Sequence, residues 1–538
     1  MADSKKNPGC QLWGLLLLSI SPWLTALGDT AYNTLTYNNV MSFGISKTAA
    51  GVAQVPVNGQ LFFYGTLTNA SLYSGGAIYR TSSDGVIVET IYQLQETDGF
   101  IPQSGLLLGR DNNLYGTTLY GPKVGVNLQA GSGTIFRLGL DGTGYTTLHK
   151  FDDLVATTDS VSGFVTATNS DGAFPVDALT DGNDGFLYGV TTRGGVNGTG
   201  TIFRVRLDGN SFQVLHSFGK INPTTGYNAN YTHEGATPAG TLMFDQVSGF
   251  LYGVTKSGGD AGNGTLYRIQ ADGSQFQTIF SFEQFNGAIS GRNDTTNCHG
   301  AVPTGRPMLV NDTLYGVTEL GGNDSSNCNG NSDGSTTGFG TVYAVAVKDI
   351  SGSGLMDSSK FVTIHDFAGS DGQSPFGDLV LGRDGLTLYG VTSGGASTSA
   401  GAGTSLGEVF SIDLRNLTSG FNVAHAFASN EGQSPTGFLI QGNDGYLYGT
   451  ATGGGACSGG AVFQLRNDGS TNSGGNISCQ NLYAASSNTS NSLYGGGGSF
   501  SLTLLGILAF LGIAAGLRRL QKSNQVSLNW ILGKMGKI

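Results

Sequence analysis

Charge is the scarcest commodity in this chain. Asp, Glu, Lys and Arg make up 12% of 538 residues, about half the usual share. No Lys/Arg cluster interrupts the body of the sequence, and the formal net charge is −11. Phosphate backbones need a basic footprint, so nucleic acid is excluded as a partner. Cysteines number five, none in the close C-x-x-C spacing of a zinc site. No H-E-x-x-H helix motif, Gly-Lys-Ser/Thr phosphate loop or EF-hand loop is present. The Gly-rich loops such as "SGGDAGNG" have no helix after them. Long helices are disfavoured too. There are 89 glycines, and each costs roughly 1 kcal/mol in a helix interior.

What the chain does have is repetition. "LYGTT", "LYGVT" and "LYGTA" words place tyrosines at 115, 188, 252, 315, 389 and 448, and "QLFFYGTL" places Tyr64 in the same setting. Each word stands second in a unit of four short apolar words. The first follows a proline, as in "PAGTLMF" and "PFGDLVL". The second is the tyrosine word. The third is "GTIFR", "GTLYR", "GTVYA", "GEVFS" or "GAVFQ". The fourth is "TLHKF", "VLHSF", "TIFSF", "TIHDF" or "VAHAF". Asp-Gly and Asn-Asp-Gly turns between short alternating words signal hairpins. Four antiparallel strands per unit, repeated, predict an all-β propeller, most simply seven four-stranded blades. The stretch "TLTYNNVMSF", ending at Phe43, reads as a fourth word without a blade of its own. It is expected to close the last blade, with "NISCQNLYA" as its competitor.

The ends differ from the body. Residues 1–28 carry Lys5 and Lys6, an apolar run from Leu12, and small residues at Ala26 and Gly28. That is the layout of a secretory signal peptide. Residues 29–480 hold the repeats, and 481–499 form a Gly/Ser/Asn-rich linker. Residues 500–517 lack charge and as a helix would span about 27 Å, enough for a transmembrane anchor. Arg518, Arg519 and Lys522 open a basic tail over 518–538, which the positive-inside rule keeps cytoplasmic. The expectation is an exported monomer tethered at its C-terminus to the outer face of a membrane. In that oxidising space Cys298, Cys328, Cys457 and Cys479 are disulfide candidates, the sequence-local pairings 298–328 and 457–479 being the simplest.

The four words in order, over residues 50–467, with the Gly-rich anchor, resemble the choice-of-anchor tandem repeat GloVer-containing proteins of bacteria. The resemblance implies export and surface anchoring. It implies no chemistry, and the tail "GGGGSF" to "LRRL" is similar to a GlyGly-type sorting signal, except that "SNQVSLNWILGKMGKI" follows it.

Two residue sets are candidates for function. His149, His216, His365 and His425 share one place in the fourth word, so on a ring they stand far apart and suit a structural role; His233 and His299 lie in long loops. An acidic residue and Gly precede the proline of the first word at Asp98, Asp171, Glu234, Asp371 and Glu431. If the first word lines the axis, these five form a partial ring near one mouth, able to face a polar ligand or Ca²⁺. The alternative is a turn whose carboxylate accepts backbone N–H bonds. The longest connections, Asp152–Pro175, Gly219–Pro238, Glu283–Pro303, Glu319–Gly340 and Ser393–Gly407, all fall on one face, the face expected to bind. Two functions stay open: a surface binding or adhesion module for glycans or a surface protein, without a catalytic residue or required cofactor, and an extracytoplasmic polysaccharide-active enzyme working at the axial mouth.

Overall fold

The computed structural model describes residues 36–42, 47–48 and 52–466, apart from 69–74, 96, 123–130, 159–164, 222–232, 283–298, 323–337, 351–354, 358–359, 396–405, 429–430, 436–437 and 455–459. The signal segment, the linker, the anchor and all four candidate disulfide cysteines lie outside these residues. So does the competitor strand at 476–484. Among the described residues no helix is long and apolar enough to cross a membrane. All described strands belong to one compact unit, Met1–Tyr483.

Among the described residues the strands form seven antiparallel sheets of blade type, plus one two-stranded ribbon, Val155–Thr158 with Val165–Thr168. Blades 1 to 7 are named here by their second-strand tyrosines, Tyr64, Tyr115, Tyr188, Tyr252, Tyr315, Tyr389 and Tyr448. Blade 4 shows the plan: Ala236–Phe244, Phe250–Ser257, Thr265–Gln270 and Gln277–Ser281 pair in that order. The first strands of successive blades meet one another around the axis. A Cβ added to Gly240 would stand 2.3 Å from the Gly305 carbonyl oxygen, and one at Gly305 would stand 2.0 Å from that of Gly377. Only glycine allows these inner backbones so close.

The recurring word owes its residues to the turn before it. In "NDGFLYG", Asn183 and Gly185 take left-handed φ of 61° and 90°. Asp184 between them accepts the Phe186 N–H through Oδ1 at 2.9 Å and the Tyr188 hydroxyl through Oδ2 at 2.6 Å. The tyrosine is fully buried, yet its hydroxyl is satisfied by the hairpin that positions it. Asp111 does the same for Tyr115 at 2.8 Å, and Asp444 for Tyr448. Burying such a ring contributes roughly 1.5–3 kcal/mol, kept because no polar group is stranded.

Neighbouring blades are fastened at the proline. The residue before it has left-handed φ in six blades: Ile101, Phe174, Thr237, Val302, Ser374 and Ser434, between 49° and 60°. Such backbone costs on the order of 1–3 kcal/mol at a non-glycine residue. What offsets it is a hydrogen bond to the preceding blade, as from Phe174 N–H to Ser132 O at 2.7 Å and from Thr237 N–H to Thr199 O at 2.8 Å. The proline ring then rests where the third-word glycine of that blade has no side chain.

Strand Thr36–Ser42 pairs antiparallel with Ala461–Arg466, the third strand of blade 7. The N-terminal strand therefore supplies the outermost strand of the last blade and closes the ring, as the orphan fourth word predicts.

Candidate functional site

The histidines and the acidic residues belong to one device. Asp171 receives His149 Nε2 at 2.9 Å and the Asp152 N–H at 3.1 Å. Asp371 meets His365 Nε2 at 3.0 Å and accepts the Ala368 N–H at 2.8 Å. Glu431 meets His425 at 2.9 Å and accepts the Ala428 N–H at 2.9 Å. In blade 1 a tyrosine stands in for histidine, and Tyr92 donates to Asp98 at 2.8 Å. Glu234 lies 3.8 Å from His216. Three of these histidines also stack flat on an aromatic ring at the start of the fourth strand of the next blade: His149 on Phe212 at 3.6 Å, His216 on Phe276 at 3.8 Å and His365 on Phe421 at 3.4 Å. Blade 4 inverts the arrangement, with Phe280 at the histidine place and His299 at the acid place, 5.6 Å apart between ring centroids.

In place of the expected axial ring, the five carboxylates thus occupy five separate seams, each turned to the outermost strand of the blade just completed. The reason is local. The acid-Gly pair begins the crossing from outer to inner strand, so the carboxylate is used to cap N–H groups where the outer strand ends. Among the described residues no three His, Cys, Asp or Glu side chains come together to hold a metal. His233, which precedes the seam acid Glu234, pairs with Asp260.

The loosest seam has a pH signature. Burial holds the His216 imidazolium down to about 4 and pushes the Glu234 carboxyl up. As pH falls below about 6.5 the unfolded chain takes a proton at His216 that the native chain refuses. Stability therefore falls between pH 6.5 and 4, by on the order of 1–3 kcal/mol. Replacing His216 with Phe, the residue blade 4 uses there, should flatten that limb. Urea midpoints at pH 7 and 4.5 for both chains check it; an equal loss in both would remove His216 from the account.

The sevenfold pattern breaks at the axis. The fourth residue of the first word is Thr241 in blade 4, Arg306 in blade 5 and Asp378 in blade 6, while blade 3 places Asp177 where blades 4 to 7 have glycine. Asp378, 6% exposed, accepts the Arg306 N–H at 2.6 Å, with Arg306 Nε 3.4 Å from its other oxygen. Asp177 is half-buried and its Oδ2 is shielded without a partner, as is Thr241 Oγ1. Burial pushes the Asp177 carboxyl up to about 6, with Lys256 opposing and Asp378 adding to the shift. Burial also raises Asp378, against the pull of Arg306. Lys256, near the end of its blade's second strand, lies 4.0 Å from Glu319 and 5.2 Å from the Phe376 ring centroid. Second strands end, and first strands begin, on the face of the long connections. The cluster therefore lies along the axis, toward that face. Sequence reasoning missed it because four blades contribute only one or two residues each. Aligning the first words and asking where their chemistry diverges would have found it.

A repeat with this period, four strands per unit and a closing N-terminal strand can be set beside known proteins. The Gloeobacter/Verrucomicrobia repeat model matches residues 27–229 and 154–327, together more than half of the chain. The chain belongs to the Gloeobacter/Verrucomicrobia repeat family. No curated protein matches it. Among solved structures, it is similar to an oligogalacturonate lyase of Vibrio parahaemolyticus, at 9% identity and TM-score 0.41, covering 80% of this chain and 97% of that one. It is also similar to a putative 6-phosphogluconolactonase of Bacteroides uniformis, at 13% identity and TM-score 0.37, covering 73% and 89%. For this Gloeobacter/Verrucomicrobia repeat protein, likenesses so distant say nothing of chemistry. The reading of function rests on its own residues.

Proposed function

We propose that this repeat protein is a binding module displayed on the outer face of a membrane, taking a hydroxyl-rich ligand, a glycan, at the axial mouth of its propeller. The observation that carries this reading is the unlike set Asp177, Thr241, Lys256, Arg306 and Asp378 on an otherwise repetitive scaffold. Acceptors and donors alternate there, which suits sugar hydroxyls that both give and take hydrogen bonds. Asp378 is held by a backbone N–H and a guanidinium, which favours recognition over proton transfer. Export and tethering rest on the apolar segments at residues 12–28 and 500–517 and the basic residues that flank them.

The second reading, a polysaccharide-active enzyme at the same mouth, is favoured by Asp177, whose carboxyl at about 6 is poised for acid–base work. One experiment separates the two. The full chain, purified in detergent, is applied to a glycan array, and the bound classes are then incubated with it and assayed for released sugar. Retention without release supports the binding module. Release supports the enzyme. Neither retention nor release would remove the axial mouth as a glycan site.

A further inference from the structure

A second break in the pattern lies at the entry to blade 6, away from the axis. In blades 2 to 5 the second and third strands carry facing threonines whose hydroxyls bond: Thr118 to Thr134 at 2.7 Å, and Thr191 to Thr201, Thr255 to Thr265 and Thr318 to Thr341 at 2.9 Å. In blades 2 and 3 the third-strand hydroxyl goes on to donate to the backbone carbonyl of the acidic residue, Asp98 or Asp171, at 3.1 Å. Each hydroxyl pair is thus a closed chain of donor and acceptor.

Blade 6 keeps Thr392 but faces it with Glu408. Both are fully buried. Neither Glu408 oxygen has a hydrogen-bond partner, nor has Thr392 Oγ1. The seam carboxylate of this junction, Asp371, is close enough for its charge to act on Glu408. Its two oxygens are already engaged by His365 and the Ala368 N–H, one bond each, which leaves a lone pair free on each. Three buried oxygens without a donor, beside a second carboxylate, make a costly arrangement. Oxygens alone, with excess negative charge, are the coordination set of a hard cation. Amide or imidazole donors would instead have paired with them.

We propose that blade 6 binds one Ca²⁺ ion between Glu408, the Thr392 hydroxyl and Asp371, and that the ion fastens blade 5 to blade 6. Asp371, its side chain 27% exposed, gives the ion its way in from solvent. The site is independent of the axial mouth and of what binds there.

The competing occupant is a proton. Burial pushes the Glu408 carboxyl up to about 7, with the Asp371 charge adding to the shift. A proton alone makes native stability fall as pH rises from 4.5 to about 7, because the folded chain then holds a proton the unfolded chain releases.

The test melts the full chain in detergent at pH 7.5, after chelation and then with added Ca²⁺. A ligand at about a hundred times its Kd adds stability that raises the midpoint by several degrees, roughly 5 °C. Calorimetric titration should count one ion per chain. The variant is Glu408→Thr, which restores the threonine pair of blades 2 to 5 and so is expected to fold. It should melt in chelator at or above the wild-type midpoint, and Ca²⁺ should not move it. Two results overturn the proposal. One is a wild-type midpoint that ignores Ca²⁺ while its margin over Glu408→Thr climbs as pH falls from 7 to 4.5. The other is a Ca²⁺ shift that survives in Glu408→Thr.

Discussion

A chain that starts after Ser42 should fail to melt as one cooperative unit. Of the residues removed, seven, Thr36–Ser42, form a strand of the propeller. Their pairing with Ala461–Arg466 is nevertheless what joins the two ends of the ring. Without it the third strand of blade 7 becomes an open edge, ready to pair with another chain. The loss exceeds the strand's own hydrogen bonds, each worth about 0.5–1.5 kcal/mol, because every blade relies on both neighbours for burial. A broad or split thermal transition, with aggregates on size exclusion, is the expected result. Adding a peptide of residues 29–46 should narrow the transition. A truncated chain that melts sharply at the wild-type midpoint would show that the ring closes by other means.

The second large effect is expected at a single glycine. Gly264 opens the third strand of blade 4 with φ of 95°. A Cβ there would stand 2.0 Å from the Thr255 carbonyl oxygen and 2.8 Å from Cδ of Pro303, the proline that opens blade 5. Two costs combine: left-handed backbone for a side chain, and a clash between blades that only backbone movement can relieve. Gly264→Ala should destabilise by at least about 3–4 kcal/mol. Gly185 isolates the first cost. Its φ is 90°, and a Cβ there meets nothing within 4 Å. Gly185→Ala should lose only about 1–2 kcal/mol. Urea unfolding of the two variants gives the comparison directly. Equal losses would mean that the blades separate readily enough to absorb the methyl group, and that the proline seat is not a fixed joint.

The strands were legible because each is a short apolar word between turn residues, and the ring because the words come in a fixed order. The closing strand was legible as a fourth word out of place. The link between the histidines and the acids was not. His365 and Asp371 are six residues apart, whereas a ribbon between His149 and Asp171 separates them by 22, so no constant spacing advertises the pair. The axial cluster was hidden for a similar reason. Asp177 and Asp378 sit in first words three blades apart, and only closure of the ring brings them within each other's field. Glu408 stands in "GEVFS" as a small departure from "GTIFR". Its meaning depends on Thr392 across the strand and on the lack of any donor nearby, which no linear pattern contains.

The central claim is that ligand binding belongs to the unlike residues at the axis and not to the repeated acids of the seams. The direct measurement is the affinity of the glycan best retained on the array for wild type, Asp177→Asn and Asp171→Asn, by calorimetric titration. The account predicts a loss of about tenfold or more for Asp177→Asn, the size of one good polar contact to a ligand, and wild-type affinity for Asp171→Asn. Unchanged binding in Asp177→Asn with weakened binding in Asp171→Asn would contradict it, and would move the site from the axis to the seams.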